Sequence, residues 1–144
     1  LINHNVQHIT IVARSTDKAA EFTRLFADTS FLSVSAWAGE SFAQALANCD
    51  LLINCTSVGM SPNIQQEIYV DWASITKKIT VCDLVYNPRE TKLIKTAQQL
   101  GHDTVTGEGM LIEQGALSFA LWTGYVAPKE SMYQAMREIL SKRV

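Results

Sequence analysis

The chain alternates short apolar runs with longer amphipathic runs, and this alternation limits the possible folds more than any other feature. Runs rich in β-branched residues predict strands, and apolar residues at helical spacing predict helices. The strands are apolar almost throughout, which is typical of strands buried on both faces of a parallel sheet. We therefore predict an α/β fold. Its strands cover residues 8–13, 31–37, 51–55, 79–85 and 103–106, and its helices cover 17–27, 41–47, 90–100, 110–122 and 130–140.

The 144 residues show no repeat, linker or low-complexity tract, so we expect one domain. The net charge of -2 comes without any block of like charges. Partners with clustered phosphates, such as nucleic acids or membrane surfaces, are therefore not expected. No apolar stretch reaches the roughly 20 residues that cross a bilayer, and a cytoplasmic location is predicted. The chain opens with Leu1, and its first strand follows within about ten residues. We therefore expect this sequence to begin partway along a longer protein.

The three cysteines, Cys49, Cys55 and Cys82, each lie in or beside an apolar run. Their spacing matches neither a C-x-x-C motif nor a cluster with the histidines. We predict buried thiols without disulfides in a reducing compartment, and no metal site.

The first strand ends in Arg14, followed closely by Ser15 and Lys18. In a dinucleotide-binding fold, an arginine at the end of the second strand accommodates the 2′-phosphate of NADP, whereas an acidic residue binds the ribose of NAD. Guanidinium geometry suits a phosphate, and the hydroxyl adds a donor. A solvated helix start explains the same residues equally well, and Ser15 or Thr16 is the expected N-cap.

Polar residues follow two of the buried strands. Residues 53–60 run from a strand into a small polar turn, at the sheet edge where α/β proteins bind ligands. The alternative is a turn whose polar residues only satisfy the backbone. Asp83 lies inside an apolar strand and must be hydrogen-bonded there, either to hold a loop or to bind a ligand.

The segment 107–116 opens a helix with Gly107 and Gly109, which allow the backbone to approach a flat ring or an anion closely. Gln114 lies on the otherwise apolar first turns of this helix. A hydrogen-bonded core amide is the more common role for such a residue than a ligand contact.

Four motifs together resemble the shikimate dehydrogenase family in order and spacing. They are Ile-Asn-x-Thr-x-x-Gly-Met at 53–60, Asp-x-x-Tyr-Asn-Pro-x-x-Thr at 83–91, Gly-x-x-Met-Leu-x-x-Gln-Gly at 107–115 and Phe-x-x-Trp-x-Gly at 119–124. The resemblance implies a Rossmann-like, doubly wound, mainly parallel sheet. It also implies an enzyme that interconverts shikimate and 3-dehydroshikimate with NADP, in aromatic amino acid biosynthesis.

The resemblance also implies roles for individual residues. The cofactor-binding residues would be Arg14, Ser15, Lys18, Asn54, Thr56, Met60, Val85 and Gly107. Tyr86 and Gln114 would contact the substrate. Ala13 stands where the family usually has an asparagine, so one adenine or ribose contact is in doubt.

The resemblance also shows what the sequence lacks. No Gly-rich turn is present, and no residue matches the family's catalytic lysine and aspartate. We therefore expect residues 1–144 to be an N-terminally truncated NADP-binding domain without the substrate-binding catalytic domain, without catalytic residues and without activity alone. In the strand order 3-2-1-4-5-6, the missing first strand is central. Without it, the strands at 8–13 and 51–55 either pair directly or leave a gap between them. We predict that another segment or a second copy fills this gap.

Three other interpretations stay open at this point. One is a quinate or quinate/shikimate dehydrogenase that uses NAD, and a second is a non-catalytic nucleotide-binding module. The third is a flavodoxin-like or receiver-type domain, in which the helix that begins near Gly107 has no evident place. A small-molecule substrate is the expected partner, and a homo-oligomer is left open.

Overall fold

A computed structural model describes residues 6–26 and 28–141. These residues form two compact units. The first unit comprises the described residues up to Cys49 together with residues 69–77, and the second comprises residues 50–68 and the described residues from Lys78 onward.

The first unit is a β-α-β-α segment. It contains β1 (Ile9–Ala13), α1 (Thr16–Thr23), β2 (Leu32–Ala36) and α2 (Glu40–Asn48), and a 3₁₀ helix at Trp72–Ser74. β1 and β2 pair in parallel, with Ile9 opposite Leu32 and Ala13 opposite Ala36. The parallel pairing requires a crossover helix, which α1 supplies. The apolar interior of the first unit includes Ala19, Phe42 and Leu46.

The second unit contains a three-stranded parallel sheet in the order β3-β4-β5, followed by two long helices. Its elements are β3 (Leu51–Asn54), β4 (Thr80–Asp83), α3 (Lys92–Gln99), β5 (Asp103–Val105), α4 (Glu108–Thr123) and α5 (Lys129–Ser141). Val81 and Ile94 are fully buried, so the centre of this core lies where α3 packs against β4.

The order of elements predicted from the sequence is confirmed, and so is the parallel α/β fold. The pairings β1-β2 and β3-β4-β5 correspond, each within its own unit, to the 2-3 and 4-5-6 pairings of the 3-2-1-4-5-6 order. Among the described residues, no strand ladder joins β1 to β3. The segment or second copy expected between these two strands stays a prediction.

Most helix ends also follow the sequence signals. Ser15 is the N-cap of α1, where its side chain accepts a hydrogen bond from Lys18 N. Gly101 follows the end of α3 with φ of 83°, as a glycine after a helix does. The predicted extent of the first helix was wrong, because α1 ends at Thr23. The amides of Leu25 and Phe26 bond to carbonyls three residues back, which tightens the chain into turns. The predicted end, Ala27, lies outside the described residues.

Among the described residues, no helix combines the length and apolar character that crossing a lipid bilayer requires.

Candidate functional site

Asn54, Asp83 and Thr91 form a hydrogen-bonded group at the carboxyl ends of β3 and β4, which we call the buried polar cluster. Their exposed fractions are 3%, 0% and 2%. Asp83 Oδ1 accepts from Asn54 Nδ2 at 3.0 Å and from Val85 N at 2.9 Å, and Oδ2 accepts from Thr91 Oγ1 at 2.6 Å. Three donors thus compensate the desolvation of one carboxylate. Of the two roles left open for Asp83, the structure shows the one that holds the loop after β4.

The turn after β3 is held by the same asparagine. Asn54 Oδ1 accepts from Thr56 N at 2.9 Å and from Thr56 Oγ1 at 2.7 Å. Thr56 Oγ1 in turn accepts from Val58 N at 3.2 Å. Gly59 has φ of 87°, a value that favours glycine. The polar residues of this motif therefore shape the turn, and the predicted cofactor contacts of Asn54 and Thr56 stay predictions.

Gly107, the N-cap of α4, lies directly against the chain that leaves β4. A Cβ at this position would lie 2.5 Å from Leu84 O and 2.7 Å from Val85 O. Its φ of -68° is accessible to any residue, so the close approach, not the dihedral angle, requires glycine. The structure thus brings together two residues that the sequence singled out, Val85 and Gly107. The nearest neighbours of this glycine are backbone carbonyls, and its predicted contact with a cofactor ring or an anion stays a prediction.

The loops after β3 and β4 and the helices α4 and α5 line a largely apolar cavity of about 420 Å³ that is open to solvent. Ser61 N donates to Asn87 O at 2.8 Å and joins the two loops. The predicted site residues Met60 and Tyr86 both line this cavity. The full lining consists of Met60, Ser61, Tyr86, Asn87, Leu111, Met136, Ile139 and Leu140. The α5 residues were missed by the sequence analysis, since the motifs end before that helix begins.

Gln114 lies outside this lining. The interpretation of Gln114 as a core amide is wrong, because its side chain is exposed. Its Nε2 donates to Leu111 O, three residues earlier, at 2.9 Å. This local bond holds the amide along the surface of α4. The predicted contact with a substrate hydroxyl stays a prediction.

An ion pair joins the loop after β4 to the start of α4. Arg89 Nε lies 3.0 Å from Glu108 Oε1, and the exposed fractions of the two side chains are 60% and 7%. The approach is not aligned as a hydrogen bond, and Oε1 has no hydrogen-bond partner among the described residues. This pair was not predicted from the sequence, because residues 89 and 108 belong to different motifs and no periodicity relates them.

In the first unit, Arg14, Ser15 and Lys18 line a shallow concavity at the carboxyl end of β1, which we call the cationic shelf. The floor is apolar and consists of Ile11, Ala13, Ala19 and Phe22. Arg14 and Lys18 are exposed, and neither forms a side-chain hydrogen bond or ion pair with another residue of the described ranges. The shelf also adjoins the N-terminus of α1, whose dipole favours anions.

The cysteines form no disulfide. The prediction that they are buried was wrong, since Cys49 and Cys82 are half-buried and Cys55 is exposed in the turn after β3. Although the residue is exposed as a whole, neighbouring atoms desolvate the Cys55 thiol and raise its pKa, and the negative charge of Asp83 raises it further. Burial, then Asp83 and then Cys55 raise the pKa of Cys82. Both thiols are therefore protonated and weakly nucleophilic at neutral pH.

Comparisons with known proteins relate this arrangement to one family. A family model described as "Shikimate 5'-dehydrogenase C-terminal domain" matches residues 107–137. A shikimate dehydrogenase (NADP(+)) of Desulforamulus reducens is 35% identical over 138 residues, which cover 94% of this chain and 46% of that protein. The chain belongs to the shikimate dehydrogenase family.

Two further family members extend the comparison. A quinate/shikimate dehydrogenase of Shigella flexneri is 44% identical over 97 residues, which cover 67% of this chain and 39% of that protein. A crystal structure of shikimate dehydrogenase in complex with NADP+ superposes with a TM-score of 0.82 at 34% identity, over 92% of this chain and 47% of that one. The chain spans about half the length of the curated relatives it matches.

Proposed function

We propose that this chain is the NADP-binding part of a longer shikimate dehydrogenase, which interconverts shikimate and 3-dehydroshikimate. The cationic shelf is the single observation that carries the proposal. Arg14 and Lys18 present two positive charges beside a serine hydroxyl and a helix N-terminus, and no described carboxylate neutralises them. A phosphate with two negative charges suits this combination. The shelf would hold the 2′-phosphate that distinguishes NADP from NAD.

The nicotinamide end of the cofactor would bind in the second unit. There the cavity lined by Met60 and Tyr86 offers a mostly apolar wall to a flat ring. Val85 and Gly107 lie at the join between the loop after β4 and α4, where the ring amide would find backbone groups. Tyr86 is 37% exposed, so part of its side chain is open to a substrate, and Gln114 would contribute an amide. When bound, NADP would supply the hydride-accepting ring, and these residues would orient it.

Residues 1–144 would form a dinucleotide-binding domain, and the substrate-binding catalytic half would lie elsewhere in the longer protein. Support comes from α4, whose second half is apolar yet uncovered. Leu121 and Trp122 are both 84% exposed, and Val126, just beyond the helix, is 93% exposed. Contiguous apolar surface of this kind marks an interaction surface, and the other half of the enzyme would bury it. The proposal includes a cytoplasmic location, and a homo-oligomer stays open.

The test is a turnover assay on the longer protein and on this chain alone. We expect the longer protein to reduce NADP+ with shikimate, and we expect the chain alone to be inactive because half of the cleft cannot place hydride donor and acceptor together. Both proteins would be assayed spectrophotometrically with the same NADP+ concentration. Turnover by the purified chain, or no turnover by the longer protein, would contradict the proposal.

A second candidate is a quinate/shikimate dehydrogenase, favoured by the 44% identity over 97 residues to the Shigella flexneri enzyme. The same assay separates the two when quinate replaces shikimate and NAD+ replaces NADP+. Because the cationic shelf favours a 2′-phosphate, we expect a higher kcat/KM with NADP+ than with NAD+. The ratio of kcat/KM for shikimate to that for quinate then decides between the two enzymes.

A further inference from the structure

Glu108 is a buried carboxylate without an assigned role. It is the first residue of α4, and its exposed fraction is 5%. A buried charge is costly unless it is compensated. The compensation here comes from the N-terminal end of the α4 dipole and from the guanidinium of Arg89, whose Nε lies 3.0 Å from Glu108 Oε1. Because this carboxylate is the ion-pair partner of Arg89 within the described residues, its removal leaves the guanidinium without that anchor on α4.

The two residues belong to the two segments that carry the proposed nicotinamide and substrate contacts. Arg89 comes three residues after Tyr86, and Glu108 directly follows Gly107. At Gly107 the backbones of these segments already lie in contact. The ion pair between Arg89 and Glu108 adds a second connection between the loop after β4 and α4.

The loop between β4 and α3 is otherwise held mainly at its ends. Asp83 binds Val85 N at the start of the loop and Thr91 Oγ1 at its end. Between these anchors, Ser61 N donates to Asn87 O. Among the described residues, the contact with Glu108 is the ion pair that fixes residues 86–90 to α4.

We propose that Glu108 is a positioning residue, which acts through Arg89 to hold the loop 86–90 against the first turn of α4 and so orients Tyr86 toward the substrate. The statement about Tyr86 rests on the proposed function. Glu108 itself touches neither the cofactor nor the substrate. Its loss therefore affects the geometry at the substrate and leaves the cationic shelf unchanged.

The first test needs no activity. Hydrogen–deuterium exchange is measured by mass spectrometry on this chain and on Glu108→Gln, which keeps the shape of the side chain and removes its charge. We expect exchange in the peptide that covers residues 84–91 to become about threefold faster, with no change in residues 9–36. Glu113→Gln is the matched control, because Glu113 lies on the same helix but is exposed and paired with Lys129. Unchanged exchange in Glu108→Gln would overturn the proposal.

The second test uses the longer protein. In Glu108→Gln and in Arg89→Gln, we expect kcat/KM for shikimate to fall about tenfold while KM for NADP+ stays constant. The double variant should lose no more than either single variant, since both remove one interaction. Arg89→Lys should recover part of the loss. Additive losses, or an equal rise in KM for NADP+, would overturn the positioning role.

The two tests separate this inference from the proposed function. Faster exchange in the loop, combined with an unmodified longer protein that does not oxidise shikimate, would contradict the proposed function and leave the role of Glu108 in ordering the loop standing.

Discussion

The buried polar cluster and the cationic shelf both follow the carboxyl ends of parallel strands, yet their polar groups are used in opposite ways. In the cluster, Asp83 is fully buried, and three donors from the same unit occupy its carboxylate. On the shelf, Arg14 and Lys18 are exposed, and no described side chain engages their charges. The first region is built to hold the loops, whereas the second is available to a ligand.

This difference shows that a polar residue at a strand end is not evidence of ligand binding by itself. A buried polar group must find its partners inside the protein, because leaving it unsatisfied costs free energy. An exposed cation has no such need and keeps its charge for an anion. Substitutions should therefore divide in the same way, with losses of stability in the cluster and losses of affinity on the shelf.

The largest expected effect is that of Asp83→Ala. This change removes the acceptor for Asn54 Nδ2, Val85 N and Thr91 Oγ1 and leaves buried donors unsatisfied. We expect the free energy of unfolding to fall by about 3–5 kcal/mol, measured by urea denaturation followed by circular dichroism.

Asp103→Ala is the matched control, because Asp103 lies in the same sheet but forms an exposed ion pair with Lys78. Such a pair contributes about 0–1 kcal/mol. If Asp83→Ala is no more destabilising than Asp103→Ala, the buried polar cluster does not hold the fold as described.

A smaller loss of stability is expected from Gly107→Ala. The added Cβ would lie 2.5 Å from Leu84 O, so the backbone of α4 or of the loop must shift. Overpacking of this kind costs about 1–3 kcal/mol. Thermal unfolding should show the loss as a lower Tm.

The comparison variant is Gly109→Ala, two residues further along. A Cβ there would meet only Tyr133 Oη, at 3.7 Å, and alanine is the better helix former. We expect this variant to be as stable as the unmodified chain or more so. Equal stability of the two alanine variants would argue against a close approach at Gly107.

Much of the fold could be predicted from the sequence, since its signals are local. In the part of the chain that the structure describes, apolar runs and helical spacing predicted each strand and each α-helix, and Ser15 was correctly expected among the N-cap candidates of α1. The end of α1 at Thr23 was not predicted. The backbone amides of Leu25 and Phe26 bond to carbonyls three residues back instead of four, which ends the α-helix. The spacing of apolar residues does not distinguish these two hydrogen-bond patterns.

The site was less accessible to sequence analysis, because its contacts join distant segments. Motifs identified Asp83 and Gly107 but could not show that the former binds Thr91 or that the latter abuts Leu84. The pair Arg89–Glu108 left no pattern at all. Gln114 was misjudged because its apolar neighbours on α4, such as Leu117, are themselves exposed.

The central claim is that the cationic shelf binds the 2′-phosphate of NADP, and isothermal titration with 2′,5′-ADP tests it most directly. Removing a charged hydrogen-bond donor costs about 1.5–3 kcal/mol, so Arg14→Gln should weaken binding about 10- to 150-fold without lowering the Tm. Binding of 5′-AMP, which lacks the 2′-phosphate, should not change, and the exposed Arg24→Gln is the control. Equal affinity of the unmodified chain for the two nucleotides, or full retention of 2′,5′-ADP binding in Arg14→Gln, would contradict the account.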